Sequence, residues 1–122
     1  MIKYIKELND SLKEIKVTDL NEDEMLLEDG IRKVFNLLKN LNDKKVIVIG
    51  NGGSAAIASH VVNDLCKNDN IKALCFSDYS YNTCMANDFG YEHVYERAIN
   101  MFSESYDILI AISSSGNSPN IL

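Results

Sequence analysis

At 122 residues, 46% hydrophobic and 25% charged, the chain has the size and composition of one globular domain with a modest core, not of a disordered segment. Its formal charge is −6, from 18 acidic against 12 basic side chains. With no basic stripe interleaved with aromatics, this disfavours binding to a nucleic-acid backbone and leaves a small anion to be held by backbone amides and hydroxyls.

From Ile2 to about Ile15, the residues Ile5, Leu8, Leu12 and Ile15 recur at three- and four-residue steps among lysines and glutamates, which predicts an amphipathic helix. Thr18 to Asn21 reads as a break. Met25, Leu26, Ile31, Val34, Phe35, Leu37, Leu38 and Leu41 then predict a second, longer helix ending near residues 40–43. Residues 1–43 thus read as a helical segment whose apolar stripes need a partner. That partner is either the α/β unit that follows or a second subunit, and a homodimer or homotetramer is expected.

Val46 to Ile49 is an uninterrupted β-branched run, the signature of a strand buried on both faces, and Gly50-Asn51-Gly52-Gly53 breaks it sharply. Ser54 stands where an N-cap belongs. The alanine-rich run behind it, with Ile57, Val61, Val62 and Leu65 at helical spacing, predicts a helix over residues 54–67. A polar turn leads to a second short strand, Ile71 to Phe76. SYNTCMAN reads as a short helix before Asn87-Asp88-Phe89-Gly90, and Tyr91 to Ser103 as a helix with Val94, Tyr95, Ala98, Ile99 and Phe102 on its core face. Asp107 to Ile112 is the third strand. Ser118 as N-cap and Pro119 at the first helical position predict another helix start. The expected fold class is therefore α/β, a doubly wound parallel sheet of flavodoxin-like type with about three strands, its first strand central, preceded by two helices.

The charged N-terminus MIKYIKELND does not resemble a signal peptide and the apolar runs are too short to span a bilayer, so a cytoplasmic location is expected, with no membrane or direct nucleic-acid partner. Cys66, Cys75 and Cys84 are an odd count without a C-x-x-C, and they read as buried thiols in a reducing compartment.

A strand, a glycine turn and a helix together aim backbone N–H groups and the positive end of a helix dipole at one point, which suits a phosphate or carboxylate. Alone, such a turn also serves simply to reverse the chain tightly. Neither the nucleoside-triphosphate loop G-x-x-x-x-G-K-[ST] nor the dinucleotide fingerprint G-x-G-x-x-G is present. The second junction, SSSGNSP at residues 113–119, changes the balance. Both junctions fall at the carboxyl edge of a parallel sheet, where open α/β folds bind ligands, and serine hydroxyls with helix-start amides can ligate phosphate without lysine or metal.

With GNGGSAA at residues 50–56, His60, ANDFGYEHVYERA at residues 86–98 and ISSSGNSPN at residues 112–120, the sequence resembles the sugar-isomerase (SIS) domain family, and within it the phosphoheptose isomerases. The resemblance covers residues 44–122, read as an incomplete SIS domain. It implies that Asn51, Gly52, Gly53 and Ser54 meet the sugar phosphate, that Asn87 and Asp88 contact its hydroxyls, and that Ser113, Ser114, Ser115 and Ser118 hold the phosphate. It also implies a zinc ion on His60 and Asp64, with Asp64 as the base that moves the substrate proton. In the family the position of Asp64 is a glutamate. The glutamine, the further histidine and the general acid of the family lie in elements not represented here, so the zinc site is incomplete and activity is expected to be impaired.

Two functions follow from the resemblance. One is isomerisation of sedoheptulose 7-phosphate to D-glycero-D-manno-heptose 7-phosphate. The other is a non-catalytic module that binds a sugar phosphate or a protein partner, as the DnaA initiator-associating relatives do. A surface His60/Asp64 ion pair one helical turn apart is the plain structural reading of the same two residues.

Overall fold

The computed structural model describes all 122 residues, which form two compact units, residues 1–40 and 41–122. The first unit holds α1 (Ile2–Lys13), the short antiparallel strands β1 (Val17–Thr18) and β2 (Glu24–Met25), and α2 (Leu27–Lys39). The β1–β2 hairpin was not legible in the hydrophobic pattern. Its tip is closed by Asp19, whose Oδ1 accepts the amides of Asn21 at 2.8 Å and Asp23 at 3.2 Å, so residues 18–21 start a turn and not only a break. Met25 and Leu26, assigned by spacing to the second helix, are corrected by this hairpin: Met25 pairs with Val17 and Leu26 is the N-cap of α2. Neither helix buries a residue within the single chain.

The second unit is built on a parallel three-stranded sheet in the order β4 (Lys72–Cys75), β3 (Lys45–Gly50), β5 (Ile108–Ile112), with the first of the three strands central as expected. β3 is buried from Val46 to Gly50, so successive side chains on opposite faces are all covered. Ile47 and Ile49 pack with Tyr95, and Leu74, Phe76, Ile99 and Ile121 close around them. Around the sheet run α3 (Gly53–Asn68), α4 (Tyr79–Phe89) and α5 (Val94–Phe102), the last entered through one 3₁₀ turn at Tyr91–His93. The helix expected for SYNTCMAN extends through Asn87, Asp88 and Phe89 to a Gly90 cap at φ +90°, and Asp78 begins it by accepting the Tyr81 amide at 2.8 Å.

Three further local expectations are corrected. Ser54 is not the N-cap of α3; Gly52 is, because its φ of +52° makes the turn that a serine would resist. Ile57 is exposed, whereas Leu65 is buried as its spacing suggests, together with Ala58. No cysteine is fully buried: Cys66 and Cys84 are exposed and Cys75 is half-buried.

The parallel register between β3 and β5 is pinned at its start by Asp107. Its Oδ1 accepts the Lys45 amide at 2.9 Å, its Oδ2 accepts the Glu104 amide at 2.7 Å, and the Lys45 ammonium lies 2.7 Å from Oδ2. Burial alone would push this carboxyl up, but the Lys45 ammonium and the two amides outweigh it and hold the pKa at about 2, below its ordinary 3.8. Because the folded value lies under the unfolded one, the group stabilises the fold above about pH 4 and loses that contribution as pH falls toward 2. Thermal melts of Asp107→Asn should therefore lie well below the unsubstituted protein at pH 5 and converge on it near pH 2. A constant gap across that range would show that the charge of Asp107 is not what stabilises the register.

At the other end of β3, a methyl group on Gly50 would lie 2.8 Å from the backbone carbon of Ser54 and 2.9 Å from its oxygen. The strand enters the helix so tightly that only glycine fits. Gly50→Ala should cost about 2 to 3 kcal/mol through forced movement of α3, read as a lower denaturation midpoint with unchanged m-value. A midpoint within error of the unsubstituted protein would mean that this junction yields freely.

Candidate functional site

The carboxyl ends of β3 and β5 lie side by side, Gly50 opposite Ile112, so the two junctions that follow them are neighbours. After β5 the chain turns through Ser113–Ser118 with Gly116 at φ +66°. Three hydroxyls converge there: Ser113 Oγ lies 3.5 Å from Ser115 Oγ and 3.4 Å from Ser118 Oγ, and the last two are 3.5 Å apart. The loop builds this triangle locally. Ser113 Oγ accepts the Gly116 amide at 3.1 Å, Ser115 Oγ accepts the Asn117 amide at 3.2 Å, and Asn117 Nδ2 donates to the Ser115 carbonyl at 2.9 Å. Ile121 and Leu122 amides bond back to the Ser118 carbonyl, forming a turn where the helix start is expected. Ser114 is exposed and stands outside the triangle.

Across from it, α3 opens with Ser54 and Ala55 amides bonded to the Asn51 carbonyl. Gly52 and Gly53 are exposed at the helix start, with open space where a side chain would project from either. An anion can therefore approach the backbone amides here without steric hindrance. Ser54 is half-buried inside the first turn, beneath Gly50.

The side chain of Asn51 is engaged. Its Nδ2 donates to Asn120 Oδ1 at 2.8 Å, Asn120 Nδ2 donates back to Asn51 Oδ1 at 2.8 Å, and the Tyr91 hydroxyl donates to the same Oδ1 at 3.0 Å. Both lone pairs of Asn51 Oδ1 are thereby used, which leaves one N–H of the side chain for a ligand. Below it the Tyr95 hydroxyl donates to the Gly50 carbonyl; burial foremost, and the neighbouring Tyr91, push this phenol up, so it remains a donor.

The other sequence-predicted residues form two separate pairs on the surface. His60 Nε2 lies 3.4 Å from Asp64 Oδ2 on the exposed side of α3, and Asn68 Nδ2 reaches Asp64 Oδ1 at 3.4 Å. Asn87 Nδ2 donates to Asp88 Oδ1 at 2.8 Å in the last turn of α4, and the Cys84 thiol lies 3.7 Å from Asp88 Oδ2. No hydrogen bond links either pair to the serine triangle. His93, at 2.5 Å from Glu96, is exposed at the surface.

His60 and Asp64 offer two ligands for the zinc that the resemblance implies, and no group of three histidine, cysteine, aspartate or glutamate side chains stands together in the chain. Protein zinc sites take three or four such ligands, so the residues present do not build a closed site and no chemical step is assigned to a metal.

The sequence matches the profile of the SIS domain over residues 3–122. The chain belongs to the SIS domain family. Among relatives of this SIS chain, a phosphoheptose isomerase of Sulfurimonas denitrificans is 41% identical, the match covering 100% of this chain and 66% of the relative. One of Fusobacterium nucleatum is 36% identical, over 74% of this chain and 50% of the relative. The solved structure of phosphoheptose isomerase from Neisseria gonorrhoeae superposes with a TM-score of 0.71 at 33% identity, covering 80% of this chain and 54% of that one. The SIS chain thus spans from about half to two thirds of the length of these relatives and shares their α/β fold.

The residues that sequence reasoning missed are Asn120 and Tyr91. Asn120 is buried, 69 positions from the partner it bonds. The one available signal was an asparagine in each of the two junctions, and no local period reports that pairing.

Proposed function

We propose that this chain carries the sugar-phosphate-binding part of a phosphoheptose-isomerase-type site, acting on sedoheptulose 7-phosphate. The observation that supports it most is the triangle of Ser113, Ser115 and Ser118 hydroxyls beside an unobstructed glycine-led helix start. In this reading the phosphate accepts from the three hydroxyls and the loop amides, and the sugar extends toward Gly52 and Gly53. Asp64 serves as the base. A proton leaves C1 of the ketose for the carboxylate, giving an enediolate across C1 and C2, and returns to C2. The hydroxyl proton moves from O1 to O2, so neither oxidant nor reductant is consumed.

One observation favours a second reading, a non-catalytic binding module. The Asp64 side chain is 53% exposed and pairs only with His60 and Asn68, an arrangement that neither desolvates a base nor completes a metal site. Calorimetric titration and a turnover assay with sedoheptulose 7-phosphate separate the readings. Binding with aldose formation supports the isomerase, binding without turnover supports a sugar-phosphate-binding module, and no binding removes the isomerase and leaves the module only as a docking site for a protein partner.

We also propose that the helical segment assembles two or four copies. Ile5, Leu8 and Leu12 of α1 and Ile31, Val34 and Phe35 of α2 are all at least half exposed in the single chain, an apolar surface larger than a monomer of this size ordinarily shows. Sedimentation should report a dimer or tetramer at about 10 to 100 µM, the ordinary range of moderate association. A folded monomer throughout that range would contradict the assembly.

A further inference from the structure

We infer that Asn120 is a positioning residue whose amide pair with Asn51 sets the distance between the two ligand loops. The inference rests on the sugar-phosphate reading above and adds a residue to it. The pairing is reciprocal, each amide donating to the other at 2.8 Å, and Tyr91 adds a third bond at 3.0 Å. Asn120 is 6% exposed, so this amide is withdrawn from water and needs a partner; Asn51 fills one donor and one acceptor at once. The serine triangle is held within residues 113–118 by its own bonds, and the glycine turn by Ser54 and Ala55 on the Asn51 carbonyl. Each loop is therefore shaped locally. Among the side-chain hydrogen bonds, only the Asn51–Asn120 pair joins one loop to the other.

This division has a specific consequence for ligands of different length. Inorganic phosphate needs the serine triangle alone. A phosphorylated sugar spans from the triangle to the glycine turn, so its binding also depends on how firmly the two loops are held in relation to each other. Loss of the pair should therefore penalise the long ligand selectively, which a merely destabilised loop would not do.

The test compares Asn120→Ala and the milder Tyr91→Phe with the unsubstituted chain, titrating inorganic phosphate and sedoheptulose 7-phosphate separately. Asn120→Ala should weaken the sugar phosphate about tenfold and inorganic phosphate less than about threefold, with Tyr91→Phe intermediate for the sugar, in line with the loss of buried amide bonds. Equal weakening of both ligands, or of neither, overturns the inference. A second measurement needs no ligand. In Asn120→Ala, hydrogen exchange at the Ser54 and Ala55 amides should accelerate about tenfold while Val48 in the interior of β3 is unchanged, as local opening without global unfolding requires. If exchange changes as expected but the unsubstituted chain binds no sugar phosphate, the tie between the loops stands and the functional reading fails. Unchanged exchange at Ser54 and Ala55 overturns the tie itself.

Discussion

Replacing Ser113 and Ser118 together with alanine is expected to weaken sugar-phosphate binding by about 10² to 10⁴, because each hydroxyl donates a charge-assisted bond of about 1.5 to 3 kcal/mol to the phosphate. These two are chosen because both are half-buried and 3.4 Å apart, whereas Ser115 is more exposed. Ser113 Oγ also accepts the Gly116 amide, so its removal loosens the turn in which Gly116 takes φ +66°. Part of the loss is then the cost of ordering that turn when ligand binds. The single Ser114→Ala substitution is the internal control: exposed and outside the triangle, it should change affinity by less than about threefold, the size of a surface substitution. Calorimetry on the three proteins checks both statements. Full affinity in the folded double mutant would remove the triangle from the site.

Asp64 carries the second large effect. Asp64→Asn keeps shape and removes the carboxylate proposed as proton acceptor, and isomerisation should fall by about 10² to 10⁴ from the rate of the unsubstituted chain while sugar-phosphate affinity holds. Asp64→Glu is the more informative partner. The carboxylate ends one methylene short of the glutamate that the resemblance implies at this position, retracted by roughly an ångström, a displacement that alone can cost about a hundredfold in a positioned proton transfer. Turnover should therefore rise in Asp64→Glu. Aldose formation measured for all three proteins decides it: a loss in Asn with a gain in Glu places the carboxylate in the reaction, and equal rates in all three exclude it.

What was legible in the sequence were the features that repeat at short range. The β-branched run Val46–Ile49 announced a strand covered on both faces, and it is the central one. The α/β order and the parallel sheet followed from alternating strands and helices. The β1–β2 hairpin was hidden because two-residue strands carry no periodicity, and its tip is closed by local bonds of Asp19, backbone and side chain. Ser54 was misplaced because residue type at an N-cap is a weaker constraint than the positive φ that Gly52 satisfies. In the site, the serine cluster was legible as a motif, but which three of its hydroxyls converge, with Ser114 left exposed, could not be read from S-S-S. The Asn51–Asn120–Tyr91 network joins three distant stretches, two after neighbouring strands and one in the 3₁₀ turn before α5, so only the tertiary fold brings it together.

Whether the two strand-to-helix junctions form one sugar-phosphate site can be read from a ¹⁵N-resolved NMR titration of the chain with sedoheptulose 7-phosphate. The amides of residues 113–118 and of residues 51–54 should shift together along one saturation curve. Shifts confined to one junction, or saturating with different affinities at the two, would contradict it.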